Sequence, residues 1–219
     1  MAGRPGPHPP PDLTFERAIA AKLGVSWVAG VDEAGRGALA GPVFAAAVMM
    51  PFTDDWTLNQ LSEVRDSKLL SAAARERLYD LIREEAIAYG VGSASAMQID
   101  DTGIVPATRQ AMAEAVAALS PPPQAVLVDG PWRLLPMHLN LPQWPIVRGD
   151  RLSLSIAAAS ILAKVSRDRY MAALGEQFPA YGFARHKGYG TAEHVLALGR
   201  LGPCPEHRRS FAPLRTGMF

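Results

Sequence analysis

Four carboxylates in this sequence stand where carboxylates are costly. Asp32 and Glu33 close a short apolar run, Trp27 to Val31, that reads as a buried strand, and Asp129 closes another, Ala125 to Val128. Asp150 follows a third, shorter run that ends at Val147. Desolvating a carboxylate is expensive unless something pairs with it, and open α/β sheets bind ligands beyond the carboxyl ends of their strands. Clustered there, four acids repel one another and raise each other's pKa values. Divalent cations relieve that repulsion, and hard oxygen donors select magnesium or manganese. Two such ions, ~3.5–4 Å apart, can clamp both oxygens of an in-line phosphoryl displacement. Each acid also has a plainer role open to it. Asp32-Glu33 and Asp129-Gly130-Pro131 can be turns, and Asp150 fits the N-cap of the helical pattern after it.

The neighbours of these acids suggest what would be bound. Gly35-Arg36-Gly37 lets the backbone turn tightly and another molecule approach it. Its guanidinium suits a phosphate and its backbone a ribose 2′-OH, the group that separates RNA from DNA. A dinucleotide fingerprint is excluded, because the third glycine is missing and no helix pattern opens directly after. His186-Lys187-Gly188-Tyr189 joins positive charge to an aromatic that can stack on a sugar or base, although on its own Tyr189 reads more readily as packing. In the polar loop from Thr53 to Ser71, Ser67 and Lys68 offer contacts to a nucleic-acid backbone. Asp66 reads as a structural partner, as does Asp168, four residues after Lys164. His194 and His207 read as structural. Cys204-Pro-Glu-His207 is at most half a zinc site, since a second ligand pair is missing.

Taken together, these motifs resemble one family. Asp32-Glu33-Ala34-Gly35-Arg36-Gly37, followed by Leu39-Ala40-Gly41-Pro42, is similar to the opening motif of bacterial ribonuclease HII. Asp66-Ser67-Lys68, Val128-Asp129-Gly130, Val147 to Asp150, Ile156 to Ile161, Ala163-Lys164, Arg167-Asp168, His186 to Thr191 and His207 to Phe211 match it in order. The resemblance implies a ribonuclease H-like α/β fold, a mixed sheet flanked by helices with a C-terminal helical extension. It implies endonucleolytic hydrolysis of the RNA strand of RNA–DNA hybrids, and incision 5′ of single ribonucleotides embedded in duplex DNA, leaving 5′-phosphate and 3′-hydroxyl ends. Two Mn2+ or Mg2+ ions would be held by Asp32, Glu33, Asp129 and Asp150. Gly35, Arg36, Gly37, Lys187, Tyr189, Ser67 and Lys68 would bind substrate, with Tyr189 against the deoxyribose that follows the ribonucleotide. The chain departs from the family at Gly103, where asparagine is usual, and at Pro106. Two other classes compete. A non-catalytic hybrid-binding module would lack one of the acids, and all are present; a dinucleotide-dependent oxidoreductase would bind its cofactor.

The elements that must position these residues follow from periodicity. In 219 residues, 48% of them hydrophobic and 20% charged, the chain can build one full core. Net charge is only +1, but residues 181–219 carry six Lys/Arg against two acids, a modest footprint for phosphates. One cysteine, no apolar run of ~20 residues and no leader pattern point to a cytoplasmic protein, and we expect a monomer. Residues 1–12, with five prolines, read as a disordered tail ahead of a single catalytic domain, 13–219. Strands are expected over residues 27–31, 43–50, 89–97, 125–128 and up to 147. A helix is expected over 72–87, capped by Ser71. A second runs to Leu119, capped by Asp100, with an irregular lead-in to about Val105 because of Gly103 and Pro106. Residues 131–145 read as a loop. A small-residue helix, Leu152 to Leu174, and a final helix, Thr191 to Leu201, follow a loop pattern around 181–190. No repeat is visible.

Overall fold

In the computed structural model, which describes residues 9–53, 59–131, 133, 134 and 140–217, the first acidic run is the centre of the sheet. Strand β1 (Val28–Ala34) pairs antiparallel with β2 (Val43–Met49) and parallel with β4 (Ala125–Asp129). Outside these lie β3 (Ala88–Ala94), antiparallel to β2, and β5 (Gln143–Ile146), parallel to β4. The order is β3-β2-β1-β4-β5. A five-stranded mixed sheet with β1 in the middle puts Asp32 and Asp129 on adjacent strands.

Both faces of the central strands are covered, so β1, β2 and β4 are apolar up to the acids near the ends of β1 and β4. Successive residues of β2 point to opposite faces. Ala45, Ala47 and Met49 join a core with helix α4 (Ile104–Ala117), while Ala46 and Val48 join a second core with α2 (Ala72–Glu85) and α5 (Leu154–Gln177). Small residues make the contacts close. Ala157, Ala158, Ala159 and Ser160 are all buried, and a Cβ at Gly30 would collide with the backbone of Ser155 and Ile156. The long helix therefore starts directly on the back of β1. Helix α1 (Thr14–Leu23) precedes the sheet. A one-turn α6 (Phe183–His186) and α7 (Ala192–Leu201) form the C-terminal end, beyond α5.

Several boundaries differ from the sequence reading, each for a local reason. The helix expected to begin near Val105 does so, at Ile104, but its lead-in is a helix of its own and Asp100 does not cap it. Ser95 caps α3 (Ala96–Thr102) in a reciprocal capping box with Gln98, so β3 stops at Ala94 rather than at residue 97. Gly103, at φ +88, breaks the chain, and α4 restarts with Pro106 in its first turn, where proline costs no hydrogen bond. Asp100 instead accepts bonds from the Arg209 and Ser210 amides at 2.8 and 2.9 Å. Nor is Asp150 the cap of the long helix. That cap is Ser153, whose hydroxyl accepts from the Ile156 amide at 3.2 Å, and Asp150 sits in a separate tight turn, Gly149–Arg151. Strand β5 begins at Gln143, inside the expected loop, and α6 interrupts the expected loop at 181–190.

The tail also reaches the fold. Residues 1–8, and residues 54–58 of the polar loop, lie outside the described residues, as do 132 and 135–139. Pro11, however, is buried. Asp12 forms a parallel bridge to Ser153, with its amide bonded to the Leu152 carbonyl at 3.3 Å and its carbonyl to the Leu154 amide at 2.8 Å. The folded region starts before residue 13.

Candidate active site

The acids converge as the strand ends require. Asp32 is 6% exposed on β1 and accepts a hydrogen bond from the Glu33 amide at 2.7 Å. Asp129, at the end of β4, accepts one from the Gly149 amide at 2.6 Å, which fastens the turn bearing Asp150 to the neighbouring strand. The glycine keeps this approach close. A Cβ at Gly149 would stand 2.5 Å from Ile156 Cδ1 and 3.3 Å from Asp129 Oδ1. One backbone bond thus sets the position of a third acid relative to the first two.

These groups sense one another strongly. Burial, then the charges of Glu33, Asp129 and Asp150, hold the Asp32 carboxyl well above the usual range. Burial raises Glu33 as well, opposed by the Arg36 guanidinium 3.2 Å away and by Lys68. Asp150 is pushed up to about 6 by burial, Asp66 and Asp129. Yet among the described residues no group of three or more His, Cys, Asp or Glu side chains stands ready as a closed metal cage. The two observations are compatible. Charge acts over longer distances than coordination, and hard cations complete their shells with water and substrate oxygens. The donors are all oxygen and they repel one another, so they fit such ions.

A cleft of ≈ 490 Å³ opens beside Asp32 and Glu33, bounded by Gly35, Arg36, Gly37, Ser67, Lys68 and Tyr189. Eight of the residues expected at the site therefore share one cavity, with Asp129 and Asp150 close enough to act on Asp32. Lys187 is the exception. Its Nζ donates to the Ala184 carbonyl at 2.6 Å, and its side chain borders a separate groove with Arg75, Asp168 and Arg169. Lys187 takes a left-handed conformation, φ +53, and this turn carries the chain onward to Tyr189.

Ser160 and Lys164 also line the cleft, and the sequence reading did not place them there. The Ser160 hydroxyl bonds that of Ser67 at 2.8 Å. Lys164 pairs with Asp168 at 2.7 Å, as its spacing suggested, and lies 5.8 Å from the Tyr189 ring centre. The available signal was their i, i+4 spacing on α5, which puts them on one helix face. Asp66 pairs with Arg151 at 3.3 Å, the structural role expected of it.

Behind Tyr189 the histidines are structural. His194 Nε2 and His207 Nε2 are 3.0 Å apart, His186 stacks on His194 at 4.4 Å, and Cys204 Sγ approaches His207 Nδ1 at 3.1 Å. His194 Nδ1 bonds the Tyr189 carbonyl at 3.0 Å, which ties this cluster to the rim of the cleft.

Comparison with known proteins agrees with this geometry. The family model described as Ribonuclease HII matches residues 29–214. A ribonuclease HII of an Acidovorax species is 57% identical, over 87% of this chain and 88% of its own. One from Geobacter metallireducens is 53% identical, over 90% and 89%, and one from Geobacillus thermodenitrificans is 52% identical, over 94% and 76%. Among solved structures, ribonuclease H2 of Pyrococcus horikoshii superposes with a TM-score of 0.72 at 26% identity, covering 87% of this chain and 96% of that one. The ribonuclease HII in a PCNA complex from Archaeoglobus fulgidus gives 0.70 at 28%, covering 84% and 95%. No helix among the described residues is long and apolar enough to cross a membrane. With its motifs in order, its sheet in the ribonuclease H arrangement and its acids at the strand ends, the chain belongs to the ribonuclease HII family, hydrolases that act on the RNA of RNA–DNA hybrids.

Proposed function

We propose that this chain cuts on the 5′ side of a ribonucleotide, in RNA–DNA hybrids and where a single ribonucleotide is embedded in duplex DNA, leaving 5′-phosphate and 3′-hydroxyl ends. The observation that carries the reading is the electrostatic crowding of Asp32, Glu33 and Asp150 against Asp129 beside a cleft rimmed by Gly-Arg-Gly. Such crowding is unfavourable for folding and so calls for cations. Asp32, Glu33, Asp129 and Asp150 would hold two divalent ions, magnesium or manganese. When bound, these would lower the pKa of a water and neutralise charge developing on the phosphate.

The remaining residues bind and orient. Gly35 and Gly37 let a ribose approach the main chain, and Arg36, held by Glu33, presents charge to a phosphate. Tyr189, half-exposed at the rim of the cleft, packs against the next sugar, where a deoxyribose fits best. Lys68, exposed beside the cleft, and the buried Ser67 take the backbone of the cut strand. Lys187 acts through its main chain and not its ammonium group.

The test is a labelled duplex containing one ribonucleotide, incubated with magnesium, with manganese and with excess EDTA. Cleavage 5′ of the ribonucleotide in either metal, and none in EDTA, is the expected result. Full activity in EDTA overturns the metal reading; cutting long hybrids but not this duplex overturns the junction reading.

A further inference from the structure

Arg167 is fully buried, on the α5 face that also carries Lys164, and among the described residues no carboxylate hydrogen-bonds to it. Its guanidinium spends its donors on three main-chain carbonyls: Nε on Pro42 at 3.0 Å, Nη1 on Lys187 at 3.0 Å and Nη2 on Ala40 at 3.1 Å. Two of these belong to the segment after Gly-Arg-Gly, the third to the turn before Tyr189. Its plane lies 5.3 Å from the Tyr189 ring centre, and a Cβ on Gly35, at φ +91, would collide with it. One side chain therefore touches both halves of the recognition rim. A planar fork with fixed donor directions can do this; a lysine ammonium cannot satisfy three divergent carbonyls and support a ring as well.

The two halves also touch directly. The Leu39 amide bonds the Gly188 carbonyl at 2.8 Å, and a Cβ on Gly188 would collide with the Ala40 carbonyl. The Lys187 carbonyl that Arg167 holds belongs to a left-handed residue, a conformation that L side chains rarely adopt. That strained turn reverses the chain and sets Tyr189 back over the guanidinium. A fully apolar side chain would fill the same space without the cost of burying a charge. What it would lose is the fixed distance between the Gly35 turn and the Tyr189 ring.

We propose that Arg167 is a positioning residue for junction recognition: it locks the Tyr189 ring to the Gly-Arg-Gly turn, so that the ribose 2′-OH and the following deoxyribose are read as one unit. This rests on the roles given above to Tyr189 and Gly35-Arg36-Gly37.

The experiment is a double-mutant cycle with Arg167→Lys and Tyr189→Ala. It reads kcat/KM on the single-ribonucleotide duplex relative to a long hybrid, a ratio that cancels the fraction of active enzyme. Arg167→Lys is expected to lower the ratio about tenfold, with the loss in kcat, the effect of misplaced rather than weakened binding. In the Tyr189→Ala background the same substitution should change it by less than about twofold, because the two residues act together. If Arg167→Lys does not fold, Arg167→Gln takes its place. Equal losses on both substrates, or the same factor with and without Tyr189, would reduce Arg167 to scaffold and overturn the proposal. If Tyr189→Ala alone leaves the ratio at the wild-type value, the junction role of Tyr189 fails, and the proposal with it. That outcome is distinct from the additive one, in which Tyr189 matters and Arg167 does not.

Discussion

The carboxylate corner and the histidine corner of this molecule are both made of buried titratable groups, yet they are built in opposite ways. At the first, Asp32 faces three other acids, and among the described residues its carboxylate accepts a hydrogen bond from its own neighbour's amide alone. At the second, each ring nitrogen has a partner of fitting polarity. His194 Nδ1 donates to the Tyr189 carbonyl, which leaves Nε2 to accept from His207 Nε2, while His207 Nδ1 accepts from the Cys204 amide at 3.0 Å. The His194 and His207 rings are complete as they stand, and burial lowers the pKa of both. Desolvation acts on both corners, but only the acids are left with a conflict that the chain does not resolve. A site that awaits a ligand is legible in that way: its polar groups are arranged against the interest of folding.

The largest expected effect comes from relieving the conflict. Asp32→Asn keeps the shape and the acceptor for the Glu33 amide but removes one of the crowded charges. Cleavage should fall by about a hundredfold or more, the scale of losing one group that stabilises charge in a transition state. In metal-free buffer the melting temperature should rise, by about 2–4 °C if one kcal/mol of repulsion is released in a domain of this size. A rate near wild type with an unchanged melt would remove Asp32 from the ligand set. A lower melting temperature would show that the crowding is no burden, and the contrast between the corners would fail.

The histidine corner should show the reverse dependence on acid. Burial first, then His194, lowers His207 to about 4 from the ordinary 6.5. Among the described residues the titratable groups that face it are His194, His186, Cys204, Tyr181 and Arg209, and none offers a carboxylate to stabilise an imidazolium. The unfolded chain takes up a proton near the ordinary value, the folded one only near 4, so between them acid favours unfolding. The contribution of His207 is thus fully present above about 6.5 and is lost as pH falls toward about 4, a matter of a few kcal/mol at most. The gap in melting temperature between wild type and His207→Gln should narrow as pH falls from about 7 to about 4.5. A constant gap would mean that the cluster is already protonated or never titrates.

The same contrast explains what the sequence disclosed. Asp32, Glu33 and Asp129 stood out in the sequence because they lie at or near the end of apolar strands, where local pattern announces a polar group, and Asp150 because it closely follows one. Asp32 and Asp129 needed only the strands; their adjacency needed the sheet. Ser160 and Lys164 were not legible as cleft residues. On α5 they read as an ordinary helix face, and only the packing of that helix on β1, through Gly30, turns the face toward Glu33. Lys187 was misplaced for a related reason. A basic residue beside Tyr189 suggests phosphate contact, but its backbone is left-handed, its carbonyl is bonded by Arg167, and its side chain lies along the neighbouring groove. The split of α3 from α4 was written in Ser95 and Gln98, a capping pair inside what looked like the end of a strand. The cap that Asp150 also fitted is filled by Ser153, since spacing alone does not tell which of two polar residues takes a helix start.

The N-terminus gives the smallest expected effect and a test of how far the acid corner extends. Composition argues that residues 1–12 bury nothing, but Asp12 bonds the backbone on both sides of Ser153, and its carboxylate accepts from the Thr14 amide at 2.9 Å. Two residues into α1, the buried Glu16 accepts from the Ser153 hydroxyl at 2.6 Å and the Ser155 amide at 2.9 Å. The start of α5 is thus clamped from the N-terminal side, and the turn that carries Asp150 lies three residues before that cap. Two truncations separate the contributions, one after residue 8 and one after residue 12. The longer truncation should melt lower by a few degrees, since each kcal/mol is worth about 2–4 °C here. It should also lose about two- to threefold in kcat, because a looser α5 start relaxes the Asp150 turn. Identical melting curves for the two truncations would mean that the Asp12 bonds add nothing. A lower melting temperature with unchanged kcat would confine the clamp to stability and detach it from the acids.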